Sequence, residues 1–469
     1  MIFEPVIAIP IIVGLVALLW GAVGGFSVRW MFRRRAFGKS GWATWWDLRK
    51  NGLTKSGGLF LGRAKWSDLY HSDPEGHVIT IGTAGGGKSS GLVVPALLNL
   101  TQGSVIVTDP SGELAAMTQR HRATQGRVIF LNPYKAIFAK GTGLDFPDTG
   151  FNPLSILDPD FPTFKADCDA VARYIMVTGR DNSESYWADE GTAFLSLMIA
   201  SILLYYDKDL HNLAFLYQLV RDKPEQVEET LLLIIENDHP ALKYEAEGFL
   251  GVVQNAGEQW QGAVRKAATA TERYAPSTPL AEHTKINGFD ALDLKSETLT
   301  VYLLVPPAQP PNALPWMNLV IGVFGIAVGR PGKARSVTLL IDEAPSLGYL
   351  PDLLPWMAQF RKVGLRVWIF SQTIAQLSAR DLYGKDGFEA IFGLCSIKQF
   401  FAISEPDTAR LVSDLCGEKT AVNVANNAGG AGMGDVGVPL IRPEAVRGLK
   451  KWRQIIIKDG MTRPIRARL

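Results

Sequence analysis

Short apolar runs recur along this chain, and helix-compatible stretches separate them. The first runs are Val78–Ile81, Ser104–Thr108 and Arg127–Leu131, with helical composition at Ser89–Leu100 and Gly112–Arg122 between them. Further runs follow at Thr298–Val305, Val337–Ile341, Leu365–Phe370, Ile397–Ile403 and Gln454–Lys458. Apolar strands that alternate with helices predict a parallel sheet with helices on both faces.

The middle of the chain follows a different pattern. From Phe164 to Glu272 the sequence indicates helices with few strand-like runs. Trp187–Tyr206 is strongly apolar, but its uncharged part lies only between Glu190 and Asp207, which is short for a membrane crossing and favours a buried core helix. We therefore predict an α/β domain in two parts, at 36–160 and 291–469, an inserted all-α domain at 161–290, and a separate N-terminal segment at 1–35.

Two other segments have distinctive compositions. Pro5–Val28 contains no charged residue and is followed by Arg29, Arg33, Arg34, Arg35 and Lys39. This length and flank predict that residues 1–35 are a membrane anchor with one transmembrane helix and that the bulk of the chain is in the cytoplasm. A cleaved signal peptide, in contrast, carries its positive charge before the apolar core. Ala425–Gly437 is rich in Gly, Asn and Ala and predicts a mobile loop.

Composition limits the range of functions. The 469 residues suggest two or three domains. The formal net charge of +2 gives no indication of nucleic-acid binding by the chain as a whole. Cys168, Cys395 and Cys416 have no metal-type spacing and predict reduced thiols, and the scattered histidines do not favour a transition-metal site.

The most informative motif is a glycine loop between the first strand and its helix. It consists of Gly82, Thr83, Ala84, Gly85, Gly86, Gly87, Lys88, Ser89 and Ser90. Glycines let backbone amides approach a phosphate, Lys88 would reach the β- and γ-phosphates of ATP, and the Ser89 hydroxyl would bind Mg²⁺. The alternative is a glycine-rich turn that binds nothing, and the flanking strand and helix favour the phosphate site.

Hydrolysis needs more groups than a phosphate loop. Asp342 and Glu343 follow the apolar run Val337–Ile341, at the strand end where open α/β sheets bind ligands. Asp342 would hold Mg²⁺ and Glu343 would activate water. Gln372 follows the next strand and could contact the γ-phosphate, although Ser371 or Thr373 could simply cap a helix there. Arg361 precedes that strand and is a candidate for an arginine supplied to a neighbouring subunit, although a solvated arginine is the common alternative.

With these elements in order, the sequence resembles the type IV secretion coupling proteins of the VirD4/TraG family over nearly its whole length. The segments that carry the resemblance are Leu61-Gly62-Arg63, the glycine loop, Asp109-Pro110-Ser111-Gly112-Glu113-Leu114, Asn152-Pro153-Leu154, Trp187, Val301–Pro306, Asp342-Glu343, the Arg361 region, Ser371-Gln372 and Gln376-Leu377. Most members of the family cross the membrane twice, whereas this sequence predicts a single span.

The resemblance implies an α/β fold with a RecA-like P-loop NTPase domain, an inserted all-α domain that contributes to substrate recognition, and an inner-membrane, homo-hexameric ATPase. Its cofactors would be ATP and Mg²⁺. Its partners would be single-stranded DNA with a relaxase, protein effectors, or both, together with the secretion channel. By position, Lys88 and Ser89 would bind phosphate and Mg²⁺, Asp342 and Glu343 would form the acidic pair, Gln372 would sense the γ-phosphate and Arg361 would act in trans.

The sequence leaves three alternatives open. The chain could be an effector receptor with little DNA pumping, a DNA translocase of the chromosome-segregation type, or a nucleotide-gated assembly component without enzymatic activity. The helical insert disfavours the second, and the intact Glu343 disfavours the third.

Overall fold

The protein is described by a computed structural model that covers residues 38, 40–73, 76–83, 85–135, 144, 146–176, 185–255, 257–305, 310–332, 335–427 and 430–469. The predicted anchor at 1–35 lies outside the described residues, as do Ala84 of the glycine loop and Pro306.

In the described part of the chain, eleven strands form one sheet in the order β2-β1-β13-β12-β9-β3-β8-β7-β4-β6-β5. From β9 to β5 neighbouring strands are parallel, and β12, β13, β1 and β2 extend the sheet antiparallel at one edge. The strands of this sheet are β1 Leu59–Arg63, β2 Asp68–His71, β3 His77–Gly82, β4 Ser104–Asp109, β5 Arg127–Leu131, β6 Leu299–Leu304, β7 Val337–Ile341, β8 Leu365–Ser371, β9 Cys395–Phe401, β12 Arg453–Lys458 and β13 Ile465–Arg468. Strands β10 Glu418–Asn427 and β11 Gly430–Pro439 form a separate two-stranded sheet.

The central strands are buried on both faces, as their continuous apolar sequences require. Successive residues point to opposite sides, so Ile79 and Leu339 pack in one core and Val78 and Leu340 in the other. The second core is closed by the helices that follow β3 and β4. The described helices from Phe164 onward pack in the first core.

The described helices are α1 Trp45–Lys50, α2 Val94–Asn99, α3 Glu113–Arg122, α4 Phe164–Met176, α5 Ser185–Tyr205, α6 Leu213–Leu219, α7 Pro224–Glu236, α8 Lys243–Asn255, α9 Gly257–Thr271, α10 Pro279–Lys285, α11 Asp293–Ser296, α12 Pro310–Gly329, α13 Ala344–Leu347, α14 Leu353–Gln359, α15 Ile374–Leu377, α16 Gly384–Leu394, α17 Pro406–Cys416 and α18 Pro443–Arg447. Ser89–Val93 forms a π-helical turn ahead of α2.

Helices α4 to α10 form the block between β5 and β6 that the sequence predicts. Within the described residues, one helical stretch, Trp187–Tyr205, is long and apolar enough to cross a membrane. Leu195, Met198 and Ile199 in it have no solvent exposure, and α5 packs against α4 and α9. The geometry therefore agrees with the prediction of a core helix.

Two parts of the chain differ from the sequence predictions. The mobile loop predicted at Ala425–Gly437 is wrong, because the described residues there belong to β10 and β11, paired from Glu418↔Pro439 to Asn427↔Gly430. A backbone ladder needs no apolar side chains, so a Gly- and Asn-rich sequence conceals it. Strand β13, Ile465–Arg468, was not predicted, and it joins β12 to β1.

Candidate functional site

The glycine loop leaves the carboxyl end of β3, in the middle of the parallel strands. Gly85 and Gly87 have φ of +73° and +97°, a left-handed backbone that favours glycine. A Cβ on Gly87 would lie 2.5 Å from the Trp452 ring, and one on Gly86 would lie 2.9 Å from the Ala402 Cβ. The sequence pattern therefore corresponds to a loop in which these positions require glycine.

Lys88 connects this loop to the acidic strand end, 254 residues further along the chain. Its ammonium group donates a hydrogen bond of 2.6 Å to the Asp342 backbone oxygen. The same Nζ lies 3.2 Å from Oδ1 of Asp342 and 3.7 Å from Oε2 of Glu343. All three side chains are mostly shielded from solvent, so their charges interact more strongly than they would at the surface.

Asp342 and Glu343 follow β7, which lies between β8 and β4. The Asp342 amide donates to Thr108 Oγ1 on β4 at 3.0 Å, which fixes the strand end. Burial raises the pKa of the Asp342 carboxyl, and the charge of Lys88 opposes this. Oδ1 of Asp342 is buried without a hydrogen bond, although the Lys88 ammonium is near it. An oxygen in this state is suited to a hard cation such as Mg²⁺.

Gln372 lies directly after β8, and its side-chain amide donates to Glu343 Oε2 at 3.3 Å. The helix cap considered as an alternative is also present, because Thr373 accepts a hydrogen bond from the Gln376 amide at the start of α15. The two interpretations are compatible, since capping involves Thr373 and leaves the Gln372 amide directed at the acidic pair.

Arg361 lies at the opposite ends of the strands, next to the amino end of β8. It belongs to the 3₁₀ turn Phe360–Val363, before the amino end of β8. β8 is seven residues long, so Arg361 is separated from Gln372 by roughly 20 Å. Near Arg361, burial lowers the pKa of His77 to about 4, and the arginine's charge contributes to that shift. Lys88, Asp342, Glu343 and Gln372 form what we call the Lys88 cluster. The structure therefore does not bring Arg361 to the Lys88 cluster of its own chain.

Ser89 opens the π-helical turn after the loop and is half-buried, and Ser90 beside it is exposed. Thr83 donates through Oγ1 to the Ala402 carbonyl at 2.6 Å, which connects the loop to the segment after β9. A cavity of about 510 Å³ adjoins this point and is lined by Ala402, Ile403, Ser404, Glu444, Arg447 and Gly448.

Sequence reasoning gave no role to three residues around the loop and the acidic strand end. Trp452 and Ala402 have φ of +65° and +49°, an unusual backbone for residues with a Cβ, and both contact the glycines. Asp109 ends β4 beside Asp342; burial and the nearby Asp342 raise its pKa to about 6, against a hydrogen bond from the Ala115 amide. The signal for Asp109 was available, because it is an acid at the end of an apolar strand next to β7.

Residues 35–468 match the family model "Type IV secretory system Conjugative DNA transfer". The type IV secretion system-coupling protein VirD4 of Bartonella quintana is 25% identical over 404 residues, covering 82% of this chain and 61% of the relative. The conjugal transfer protein TraG of Rhizobium radiobacter is 28% identical over 413 residues, covering 82% and 60%.

Solved structures share the fold. The plasmid coupling protein TrwB in complex with the non-hydrolysable ATP analogue ADPNP superposes with a TM-score of 0.68 at 17% identity, covering 93% of this chain and 94% of that one. TrwB in complex with ADP and Mg²⁺ gives the same TM-score and identity, covering 92% and 93%.

The chain thus spans about three fifths of the length of the curated relatives it matches, 61% for VirD4 and 60% for TraG. The family model nevertheless extends over nearly all of this sequence, including the glycine loop, the helical block and the acidic strand end. The α/β, RecA-like fold of this chain agrees with the match to the family model. This chain belongs to the type IV secretory system conjugative DNA transfer family.

Proposed function

We propose that this chain is the ATP-hydrolysing coupling protein of a type IV secretion system, which recruits substrates and drives or licenses their transfer. One observation carries the proposal: Lys88 of the glycine loop, the Asp342-Glu343 pair and the Gln372 amide converge at the carboxyl edge of the central strands. A glycine loop without this convergence would support nucleotide binding alone.

Each residue has a role that follows from its position. The amides of Gly82–Ser90 and the Lys88 ammonium hold the phosphates of ATP, and Ser89 and Asp342 supply oxygen ligands for Mg²⁺. When bound there, Mg²⁺ would offset the charge that develops on the phosphates. Glu343 accepts the proton of the attacking water, and Gln372 holds its carboxylate in place. The TrwB complexes with ADPNP and with ADP and Mg²⁺ support this choice of ligands.

We extend the proposal to the whole protein. Residues 1–35 anchor the chain in the bacterial inner membrane as a single span, with the remainder in the cytoplasm. Residues 161–290 form an all-α domain that contributes to substrate recognition, inserted between the two parts of the nucleotide-binding domain, 36–160 and 291–469. Six copies form the active ring, in which Arg361 reaches a neighbour's site.

The proposed cargo is single-stranded DNA bound to a relaxase, delivered to the channel components. The family description, conjugative DNA transfer, favours DNA over protein effectors alone. A DNA motor should contact mostly phosphates, and its response to DNA should therefore weaken with salt.

The test is the rate of ATP hydrolysis with and without single-stranded DNA, over a series of salt concentrations. We expect DNA to raise the rate, the stimulation to fall as salt rises, and Lys88→Ala to abolish turnover while Lys385→Ala, at an exposed lysine on α16, leaves it unchanged. If the rate of hydrolysis depends on Lys88 but does not change when DNA is added, the result would favour an effector receptor. Normal turnover in Lys88→Ala would overturn the site.

A further inference from the structure

A group of tryptophans and cations lies at the outer edge of the sheet, apart from the nucleotide site. Trp46 on α1 and Trp66 in the turn between β1 and β2 have 72% and 73% of their surface exposed. Burying an aromatic side chain this large is normally favourable, so two such exposed rings indicate a surface with a partner.

Cations accompany these rings. The Arg49 guanidinium lies 5.2 Å from the Trp45 ring centre, the Lys65 ammonium 4.6 Å from that of Trp66, and the Arg466 guanidinium 4.1 Å from that of Trp42. Trp45 and Trp46 contact each other edge to face, with ring centres 4.9 Å apart.

Strand β13 and the residues before it hold these groups together. The Ala43 amide donates to the Pro464 carbonyl, and Asp47 of α1 pairs with Arg463 at 3.1 Å. Arg63, at the end of β1, lies opposite Arg468 of β13 in the antiparallel strand pairing. Arg463 to Arg468 is a stretch of about 17 Å in extended backbone, so α1 and the turn lie on one corner of the molecule. We call it the Trp-basic corner, comprising residues 40–72 and 463–469.

The charge of this corner differs from that of the whole chain. It contains eight cationic side chains, Arg49, Lys50, Lys55, Arg63, Lys65, Arg463, Arg466 and Arg468, and two acidic ones, Asp47 and Asp68, whereas the chain as a whole has a formal net charge of +2. Both acids are already paired with arginines of the corner. The corner therefore attracts an anionic surface.

We propose that the Trp-basic corner docks on the anionic headgroup layer of the membrane, beside the entry point of the anchor. The proposal rests on the anchor of the proposed function. Trp42 follows Arg35 by seven residues, which reach at most about 25 Å, so an inserted anchor keeps the corner next to the bilayer. Interfacial tryptophans with flanking Lys and Arg are the side chains that suit this layer. Docking fixes the orientation of the cytoplasmic body against the membrane, which a single anchor alone does not.

The chain's own thiols make a direct test practical. Cys168, Cys395 and Cys416 are buried, and burial raises the pKa of each thiol, so a cysteine introduced at the surface can be labelled selectively. We would label Trp66→Cys in the full chain with an environment-sensitive fluorophore. The matched control is Tyr244→Cys, an aromatic position in the helical block that is 81% exposed.

The labelled chains are reconstituted into vesicles containing phosphatidylglycerol or only phosphatidylcholine, with headgroup-level spin-labelled lipid as the quencher. We expect quenching at position 66 in the phosphatidylglycerol vesicles, less in phosphatidylcholine or at high salt, and none at position 244. Arg463→Gln and Arg466→Gln should each lower the ratio of docked to undocked protein by about five-fold, from about 1 kcal/mol per basic side chain at an anionic surface.

Resistance to alkaline extraction reports the anchor separately, so the two ideas can fail independently. An extraction-resistant chain whose label at 66 is not quenched would overturn the docking surface and leave the anchor intact. If the anchor does not insert, phosphatidylglycerol vesicles added to the labelled chain still decide whether the corner binds lipid. A response of the label to oligo-dT but not to vesicles would overturn the proposal and assign the corner to nucleic acid.

Discussion

Oε2 of Glu343 lies 3.3 Å from the Gln372 amide nitrogen and 3.7 Å from the Lys88 ammonium, so it is oriented by a hydrogen bond and kept near a cation. Glu343→Gln preserves the size of this side chain but cannot accept a proton from water. We expect hydrolysis to fall by about 10²–10⁴-fold while nucleotide binding persists, because Lys88 is untouched. Phosphate release and equilibrium binding of a fluorescent nucleotide measure the two effects.

Glu389→Gln is the matched control, since Glu389 is an exposed glutamate on α16. It should hydrolyse ATP at the unmodified rate. Rapid phosphate release by Glu343→Gln would remove Glu343 as the base.

Asp109 gives the site a pH-dependent cost in stability. Its pKa is raised from 3.8 to about 6, first by burial and also by Asp342, so the folded chain binds this proton more tightly than the unfolded chain does. Stability from this group is therefore lost as pH rises from about 4 to about 6. Asp109→Asn removes that loss and keeps an oxygen for the Ala115 amide.

We expect the free energy of unfolding of Asp109→Asn, relative to the unmodified chain, to rise between pH 4 and pH 6 and to stay level above. Urea unfolding without nucleotide at pH 4.5 and pH 7 measures this difference. His71 and His77, whose pKa values burial lowers to about 4, titrate in both chains and cancel. An unfolding difference that does not change with pH would contradict the raised pKa of Asp109.

Among single residues, Lys88, Asp342, Glu343 and Gln372 could be predicted to lie near one another, because Lys88 belongs to a recognisable glycine loop and the other three each follow an apolar strand. Trp452 and Ala402 could not be found in the same way. Their contacts with Gly87 and Gly86 depend on how the segments after β9 and before β12 return to the loop, and no local pattern encodes that return.

At the level of elements, the described residues of the glycine loop include two left-handed positions with different surroundings. A Cβ at Gly87 would strain the backbone and collide with Trp452 at 2.5 Å, whereas one at Gly85 has nothing within 4 Å. Gly85→Ala should cost about 1–2 kcal/mol through backbone strain alone. Gly87→Ala should cost more and weaken nucleotide binding, because the loop or Trp452 must shift.

Unfolding midpoints and nucleotide affinity for both variants test this comparison. Gly87→Ala combined with Trp452→Ala should recover the part lost to the collision and keep the part lost to strain. Equal losses for Gly85→Ala and Gly87→Ala would show that Trp452 does not restrict the loop.

The parallel strands were predictable because each is a continuous apolar run between loops, and β7 matches its predicted bounds, Val337–Ile341. The antiparallel strands at the edge of the sheet were harder to predict from the sequence. β13 is four residues long and alternates buried and exposed positions, and β1 meets it only through the pairing of Arg63 with Arg468. Pairings between distant, short edge strands depend on the assembled fold and leave little trace in local sequence.

At the scale of the whole molecule, each chain presents its Lys88 cluster at the carboxyl edge of the sheet and Arg361 at the amino edge. β8 separates them by roughly 20 Å, which exceeds the reach of an arginine side chain. Arg361 can therefore serve catalysis only at another subunit's site, as a head-to-tail ring would arrange it.

Mixed rings test this arrangement. Arg361→Ala subunits keep an intact Lys88 site, and Lys88→Ala subunits keep an intact Arg361, so each mutant alone should be inactive. In an equal mixture, about a quarter of the subunit interfaces join an intact site to an intact arginine, and we expect about that fraction of hydrolysis to return. Crosslinking must first show that mixed rings form. Rings that form but stay inactive would exclude Arg361 as the trans-acting arginine, and activity of Arg361→Ala alone would show that hydrolysis does not need it.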